Sequence, residues 1–265
     1  MVISDKWWYK SGHSGFSSCL FWVINLNGTY YYVIYGKAIS KIGVASPDSL
    51  VWTIYYHPLP RLSSKSEKYQ SIKNQFLSSW KHPNKITPQV FKIFKIKNKE
   101  LKELYNIQRT RVEKNQNLAN KKFNGRLMTA GNEQRRFHGT SVSCRIGETG
   151  QLCSSNACAV CCIIKNGYKI FETTNFQRLY FSSISSKSDD YVKNNSGLNY
   201  RVMFLNRVIV GKAYKCTNDY TGLLHPPQGY DSVIGVPDSN GSLNYDEVVL
   251  YREDSCIPKY LIAYG

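Results

Sequence analysis

Three short motifs, in a set order along the chain, constrain its fold more than any average property does. Phe137-His138-Gly139-Thr140 comes first. Tyr180-Phe181 follows, with six residues between the pair and Ser188 and two between that serine and Tyr191. Tyr245-Asp246-Glu247 comes last, running into Val248-Val249-Leu250-Tyr251. Each motif is weak alone. One histidine among five is more often structural than catalytic, and one tyrosine among twenty is usually core. Glu247 is more pointed: a carboxylate leading an apolar run on a predicted strand is either on the polar face or buried for a purpose.

The surrounding pattern predicts a mixed chain. Residues 1–56 read as β-rich. Segments 21–25 and 30–35 flank Leu26-Asn27-Gly28-Thr29, and Asn-Gly is the preferred pair for a two-residue hairpin turn. A third strand is predicted over 50–56. His57-Pro58-Leu59-Pro60 and the serines after it mark a boundary, giving segments 1–61 and 62–265. Tyr69, Ile72, Phe76 and Trp80 recur at helical spacing, so 66–80 reads as a helix that Pro83 and Pro88 end. A strand over 90–96 and a helix over 98–114 follow, the helix with Leu101, Leu104 and Ile107 on one face. Residues 115–126 read as a polar loop, and a helix is predicted from Ile163 onward. After Gly139 strands alternate with turns, most clearly over 200–210, 247–251 and 260–264, with a loop over 225–229. No internal repeat is present.

Of the net charge of +17, segment 61–136 carries +14, from 19 basic and five acidic residues. A concentrated basic segment suits phosphate backbones. It suits a solvated lysine-rich face better, with no partner needed. No window reads as a membrane span, because Asn25, Asn27 and Gly28 interrupt the most apolar stretch, 19–35. No signal peptide is evident, so the expected setting is intracellular, nuclear or cytoplasmic.

In order and spacing, the three motifs resemble the active site of the poly(ADP-ribose) polymerase (PARP) catalytic domain, a His-Tyr-Glu type ADP-ribosyltransferase. The resemblance covers about residues 62–265. It includes Tyr69-Gln70, Phe76, Phe91-Lys92-Ile93 and Leu101 with Leu104-Tyr105 in the entry segment. It also takes in Pro226-Pro227-Gln228-Gly229 through Gly235 and the closing Ile257-Pro258-Lys259-Tyr260-Leu261-Ile262. It implies an α+β fold with a split, mainly antiparallel sheet, to which this chain adds a small β-rich N-terminal segment.

The resemblance implies transfer of ADP-ribose from NAD+ to a macromolecular acceptor, with nicotinamide released. Glu247, His138 and Tyr180 are then catalytic. NAD+ would be held by His138, Gly139, Thr140, Tyr180, Lys187, Ser188 and Tyr191. His138 would take the adenosine-ribose hydroxyl, Gly139 and Ser188 the nicotinamide amide, and Tyr180 and Tyr191 the ring faces. Glu247 would bond the nicotinamide-ribose 2′-hydroxyl, with Lys187 orienting it. The run before Tyr180, Asn175-Phe176-Gln177-Arg178-Leu179, lacks the glycines the family often has there. Segment 237–243 reads as a compact acceptor-side loop. Glu247 permits elongation without establishing it, so single-unit and polymer transfer stay open. So do two rivals: an inactive NAD+ or ADP-ribose sensor, and a polyanion-binding module using 61–136.

Five of eight cysteines fall within 144–162, spaced Cys-x8-Cys-x4-Cys-x2-Cys-Cys. That spacing suits a structural Zn2+ held by Cys144, Cys153, Cys158 and Cys161 in an insertion, with Cys162 packing inward. Cys162 in place of Cys161 is the alternative within the site, and a set of buried or redox-active thiols is the alternative to it. Cys19, Cys216 and Cys256 read as ordinary core or surface residues.

Overall fold

The computed structural model describes residues 58–123, 125–170, 178–218 and 223–265, with five strands inside 3–56. The chain divides into two compact units, 1–58 and 59–265. In the first, β1 (Ile3–Trp8), β2 (Leu20–Leu26), β3 (Thr29–Ile34), β4 (Ile39–Ser40) and β5 (Tyr55–Tyr56) form one antiparallel sheet in chain order. The β2–β3 ladder closes at Leu26 and Thr29, with two residues between them, as a two-residue hairpin requires. The turn pair Asn27-Gly28, Cys19, positions 50–54 of the predicted third strand and the run 175–177 lie outside the described residues.

The second unit opens on α1 (Glu67–Ser78), capped by the Ser66 hydroxyl, which accepts from the Tyr69 amide at 3.2 Å. Tyr69, Ile72 and Phe76 are its buried face. β6 (Val90–Lys95) leads to α2 (Lys99–Gln116), capped by Asn98 and ended by Asn117 in the left-handed conformation. The buried stripe of α2 is Tyr105, Gln108 and Val112, and of the face predicted from sequence only Leu101 packs against it, half-buried. Leu104 and Ile107 are 55% and 67% exposed. Tyr105 sets this rotation: its hydroxyl bonds Glu133 at 2.8 Å, and with Val112 it packs on Ile209 and Ile257. Where a loop was predicted, β7 (Lys122–Phe123) and β8 (Arg126–Leu127) form a short hairpin.

The remaining elements are β9 (Glu133–Gly139), β10 (Ser141–Val142), α3 (Ile146–Thr149), α4 (Ala159–Asn166), β11 (Leu179–Phe181), α5 (Ser185–Asp189), β12 (Lys193–Asn194), β13 (Arg201–Ile209), β14 (Ala213–Cys216), β15 (Ser232–Gly235), β16 (Glu247–Leu250) and β17 (Cys256–Tyr264). α4 starts four residues before Ile163, where Cys158 begins the helix. β17 runs back past Pro258, because that proline lies at the register shift opposite Leu205 and Asn206, where a missing ladder donor is tolerated.

Two four-stranded sheets carry the unit. One is ordered β6-β17-β13-β9 and is wholly antiparallel. The other is ordered β11-β16-β15-β14, with only β14 and β15 parallel. Phe137 and Ser182 exchange both backbone hydrogen bonds, at 2.8 and 3.2 Å, so β9 meets the end of β11 and the two sheets join there. This is an α+β fold with a split, mainly antiparallel sheet.

Candidate active site

The join between the sheets brings the first two motifs together. His138, next to Phe137, has its Nδ1 2.9 Å from the Tyr180 carbonyl. A carbonyl only accepts, so Nδ1 carries the proton and donates, leaving Nε2 as an acceptor. Tyr168 and Phe181 face the ring at 5.0 and 5.4 Å between centroids. Burial in this aromatic setting pushes the imidazole pKa below its ordinary value, against a weaker upward pull from the Tyr180 bond. His138 is therefore neutral at pH 7.

Gly139 fixes the next contact. A Cβ there would overlap the Ser188 carbonyl oxygen and come within 2.9 Å of Val192. Only glycine lets the end of β9 lie this close to α5. Thr140 follows, half-buried, its carbonyl accepting from the Lys193 amide at 3.4 Å. Tyr191 sits one turn past Ser188, donating its amide to the Ser188 carbonyl at 3.3 Å, and its side chain is exposed.

The third motif enters through β16, which is held between β11 and β15. Alternation along the strands puts Glu247, Val249 and Tyr180 on one face. They line a single cleft with Cys216, Gly235 and Leu243. Lys187, from α5, places its Nζ 2.7 Å from Glu247 Oε1, and the two side chains are 16% and 20% exposed. A carboxylate half-withdrawn from water and paired with one ammonium is held in place, which suits it to face developing positive charge.

Other residues at the site make contacts that sequence spacing does not reveal. Asp246 Oδ1 accepts from the Ser183 amide at 3.1 Å and the Ser183 hydroxyl at 2.6 Å, while its backbone carbonyl accepts from the Ser182 hydroxyl at 2.8 Å. It thereby ties the lead-in of Glu247 to the turn before α5, with Arg136 3.7 Å away as counter-charge. Cys216 is in the cleft wall rather than an ordinary position. Asp189, next to Ser188, is buried and bonded by three side chains.

Cys144, Cys153, Cys158 and Cys161 converge, with all four Sγ atoms within 4.8 Å of one another. Cys144 Sγ lies 3.7 Å from Cys158 Sγ and 3.6 Å from Cys161 Sγ. Zinc–sulfur bonds of about 2.3 Å make the edge of a ZnS4 tetrahedron about 3.8 Å, so the four sulfurs fit such an ion. The Ser143 and Cys153 amides point at Cys158 and Cys161 sulfurs, at 3.5 and 3.4 Å, as they would at thiolates. Cys162 does not pack inward. It is half-buried, with its thiol directed at the Ser155 and Asn156 carbonyls at 3.8 and 3.6 Å. Successive helical residues are about 100° apart, and α4 turns Cys161 into the cluster and Cys162 away.

The basic segment contributes to a cationic face that extends beyond it. Burial lowers the Lys259 pKa, and the nearby charges of Arg207, Lys102 and Lys95 lower it further. Arg109 and Arg207 both reach Glu133, at 3.4 and 3.6 Å.

Sequence comparison matches residues 66–241 to the poly(ADP-ribose) polymerase catalytic domain. Protein mono-ADP-ribosyltransferase PARP3 of Gallus gallus is 40% identical over 82 residues, 30% of this chain and 15% of that protein. Protein mono-ADP-ribosyltransferase PARP3 of Mus musculus is 26% identical over 168 residues, 50% of this chain and 29% of that protein. The chain thus spans under a third of the length of these relatives.

Proposed function

The chain belongs to the poly(ADP-ribose) polymerase catalytic-domain family, and from that premise we propose that it transfers ADP-ribose from NAD+ to a macromolecular acceptor, releasing nicotinamide. The observation that carries this reading is the 2.7 Å Lys187–Glu247 pair in the cleft that Tyr180 also lines. The bond broken joins the nicotinamide nitrogen to ribose C1′. Nicotinamide leaves with the electron pair, positive charge grows on the ribose as in glycoside hydrolysis, and an acceptor oxygen closes on C1′. Glu247 would stabilise that charge through the 2′-hydroxyl and draw the acceptor's proton, with Lys187 holding its carboxylate.

The remaining residues would bind and orient. Neutral His138 has Nε2 ready to accept from an adenosine-ribose hydroxyl. Gly139 and Ser188, already in contact, suit a shared hold on the nicotinamide amide. Tyr180 and Tyr191 would cover the ring, an arrangement worth about 0.5–1.5 kcal/mol beyond burial, and Thr140 would complete the donor wall.

The acceptor side favours single-unit transfer to protein. Loop 237–243 is compact: the Gly241 amide donates to the Asp238 carbonyl at 3.0 Å, and a Cβ on Gly241 would overlap the Thr217 carbonyl. The names of the two relatives point the same way. Cys144, Cys153, Cys158 and Cys161 would hold a structural Zn2+, which suits a reducing nuclear or cytoplasmic setting. The cationic face around Lys95, Lys102 and Lys259 would take a nucleic-acid acceptor or cofactor strand, with binding that falls steeply with salt. Among the described residues no helix is long and apolar enough to cross a membrane.

Incubation with labelled NAD+ tests the central reading. A discrete labelled band, absent in Glu247→Ala, is the expected result. A smear that collapses to a band in the variant would replace single-unit transfer by elongation. NAD+ binding without label in either protein would leave a sensor.

A further inference from the structure

We propose that Asp189 is a positioning residue, which sets the nicotinamide-binding geometry of Ser188 by locking the end of α5 to three distant parts of the fold. The inference rests on the NAD+ reading above.

α5 has five residues, too few to hold an orientation by its own hydrogen bonds. Its placement comes from tertiary anchors. At its start, the Ser185 hydroxyl donates to the Phe76 carbonyl at 2.7 Å, and the Ser186 hydroxyl accepts from the Lys81 and His82 amides at 2.9 and 3.2 Å. At its end, next to Ser188, the anchor is a carboxylate. Asp189 is 3% exposed at the side chain. Its Oδ2 receives Lys85 Nζ at 2.8 Å. Its Oδ1 receives the Tyr264 hydroxyl at 2.6 Å and Arg201 Nε at 3.1 Å. Arg201 also reaches back to the main chain, donating to the Asp189 and Val192 carbonyls at 2.8 and 3.0 Å.

The three donors come from the segment between α1 and β6, the start of β13 and the end of β17. A buried carboxylate with three converging donors has one low-energy position, and the residue before it inherits that position. Ser188 is that residue, and its carbonyl already lies against Gly139. Ser188 and Gly139 are the two groups assigned to the nicotinamide amide. A displaced Ser188 hydroxyl would lose its hydrogen bond to that amide, which weakens NAD+ binding. Neither Ser188 nor Lys187 bonds this cluster directly, so Asp189 acts through the backbone of α5.

The test is steady-state nicotinamide release by the full chain, comparing Asp189→Asn, Tyr264→Phe, Ser188→Ala and the double variant Asp189→Asn/Ser188→Ala. Asp189→Asn is expected to raise KM for NAD+ about tenfold while kcat stays within about threefold, the signature of lost ground-state binding. Inhibition by added nicotinamide should weaken in parallel. In the double variant KM should exceed that of Ser188→Ala by less than about twofold, because both changes remove one interaction. Tyr264→Phe keeps the ring and removes one donor, and should raise KM about threefold.

An unchanged KM in Asp189→Asn, an effect confined to kcat, or full multiplication with Ser188→Ala would overturn the proposal. Should Asp189→Asn fail to fold, a folded Tyr264→Phe with wild-type KM overturns it equally. Failure of the underlying reading looks different: the wild-type chain itself would neither bind NAD+ nor release nicotinamide.

Discussion

The Lys187 ammonium lies 2.7 Å from the Glu247 carboxylate, across the gap between α5 and the first residue of β16. The two come from motifs 60 positions apart, and the pair is mostly shielded from water. Glu247→Gln keeps the shape and removes the charge. It should lower kcat for nicotinamide release by about 10²–10³, the usual cost of losing one preorganised electrostatic group, with little change in KM. Lys187→Met leaves the carboxylate present but unheld, and its loss in kcat should be smaller, about tenfold. Adding it to Glu247→Gln should change nothing further. Initial rates at saturating NAD+ separate these outcomes.

Gly139→Ala tests the contact between β9 and α5. The new methyl must displace the Ser188 carbonyl, which is backbone and cannot swing aside. The expected result is loss of NAD+ binding by more than about a hundredfold, because α5 moves with the carbonyl. Gly197→Ala is the control. Nothing lies within 4 Å of a Cβ there, although its φ of +72° adds some backbone strain. Calorimetric titration with NAD+ should show wild-type affinity for the control and none for Gly139→Ala.

The α+β class was legible before any coordinates, and the family resemblance named His138, Tyr180, Lys187 and Glu247 as candidates, which the structure brings to the join between the sheets and the adjoining cleft. What stayed hidden depends on which way an element faces. Leu104 and Ile107 fit helical spacing as well as Tyr105, Gln108 and Val112 do. Only the Glu133 partner of Tyr105, supplied by β9, decides between the two faces. Pro258 made β17 look short because a ladder shift is not visible in composition. The anchoring roles of Asp189 and Asp246 emerge only when Lys85, Arg201, Tyr264 and Ser183 arrive from elsewhere.

His138 gives a pH signature. Burial holds its folded-state pKa below the ordinary 6.5. Between those two values the unfolded chain takes up a proton that the folded chain refuses, so stability should fall as pH drops below about 6.5. His138→Gln cannot titrate and should lack that contribution. Urea denaturation of both proteins from pH 8 to pH 5 should show the wild type losing stability relative to the variant only at the acid end. The same neutral imidazole should keep NAD+ affinity flat on acidification through pH 6.5.

The four-sulfur cluster predicts a metal-dependent fold around α4. Purified protein should carry about one Zn2+ per chain, and chelation should lower Tm, since such sites can supply on the order of 10 kcal/mol to local folding. Cys161→Ser should abolish metal content. Cys162→Ser should leave it unchanged, because that thiol points at the Ser155 and Asn156 carbonyls. Metal analysis and thermal melts of the two serine variants tell the adjacent cysteines apart, which spacing cannot.

The outward face of α2 offers the last contrast. Leu104 is 55% exposed and Val112 is 2% exposed, though both are apolar residues of one helix. Leu104→Lys should change unfolding free energy by no more than about 0.5 kcal/mol, the ordinary range for surface positions. Val112→Ala removes two methyl groups from the packing with Tyr105, Ile209 and Ile257, and should cost about 1–3 kcal/mol. Equal stability losses in the two variants would mean that α2 is rotated to bury Leu104.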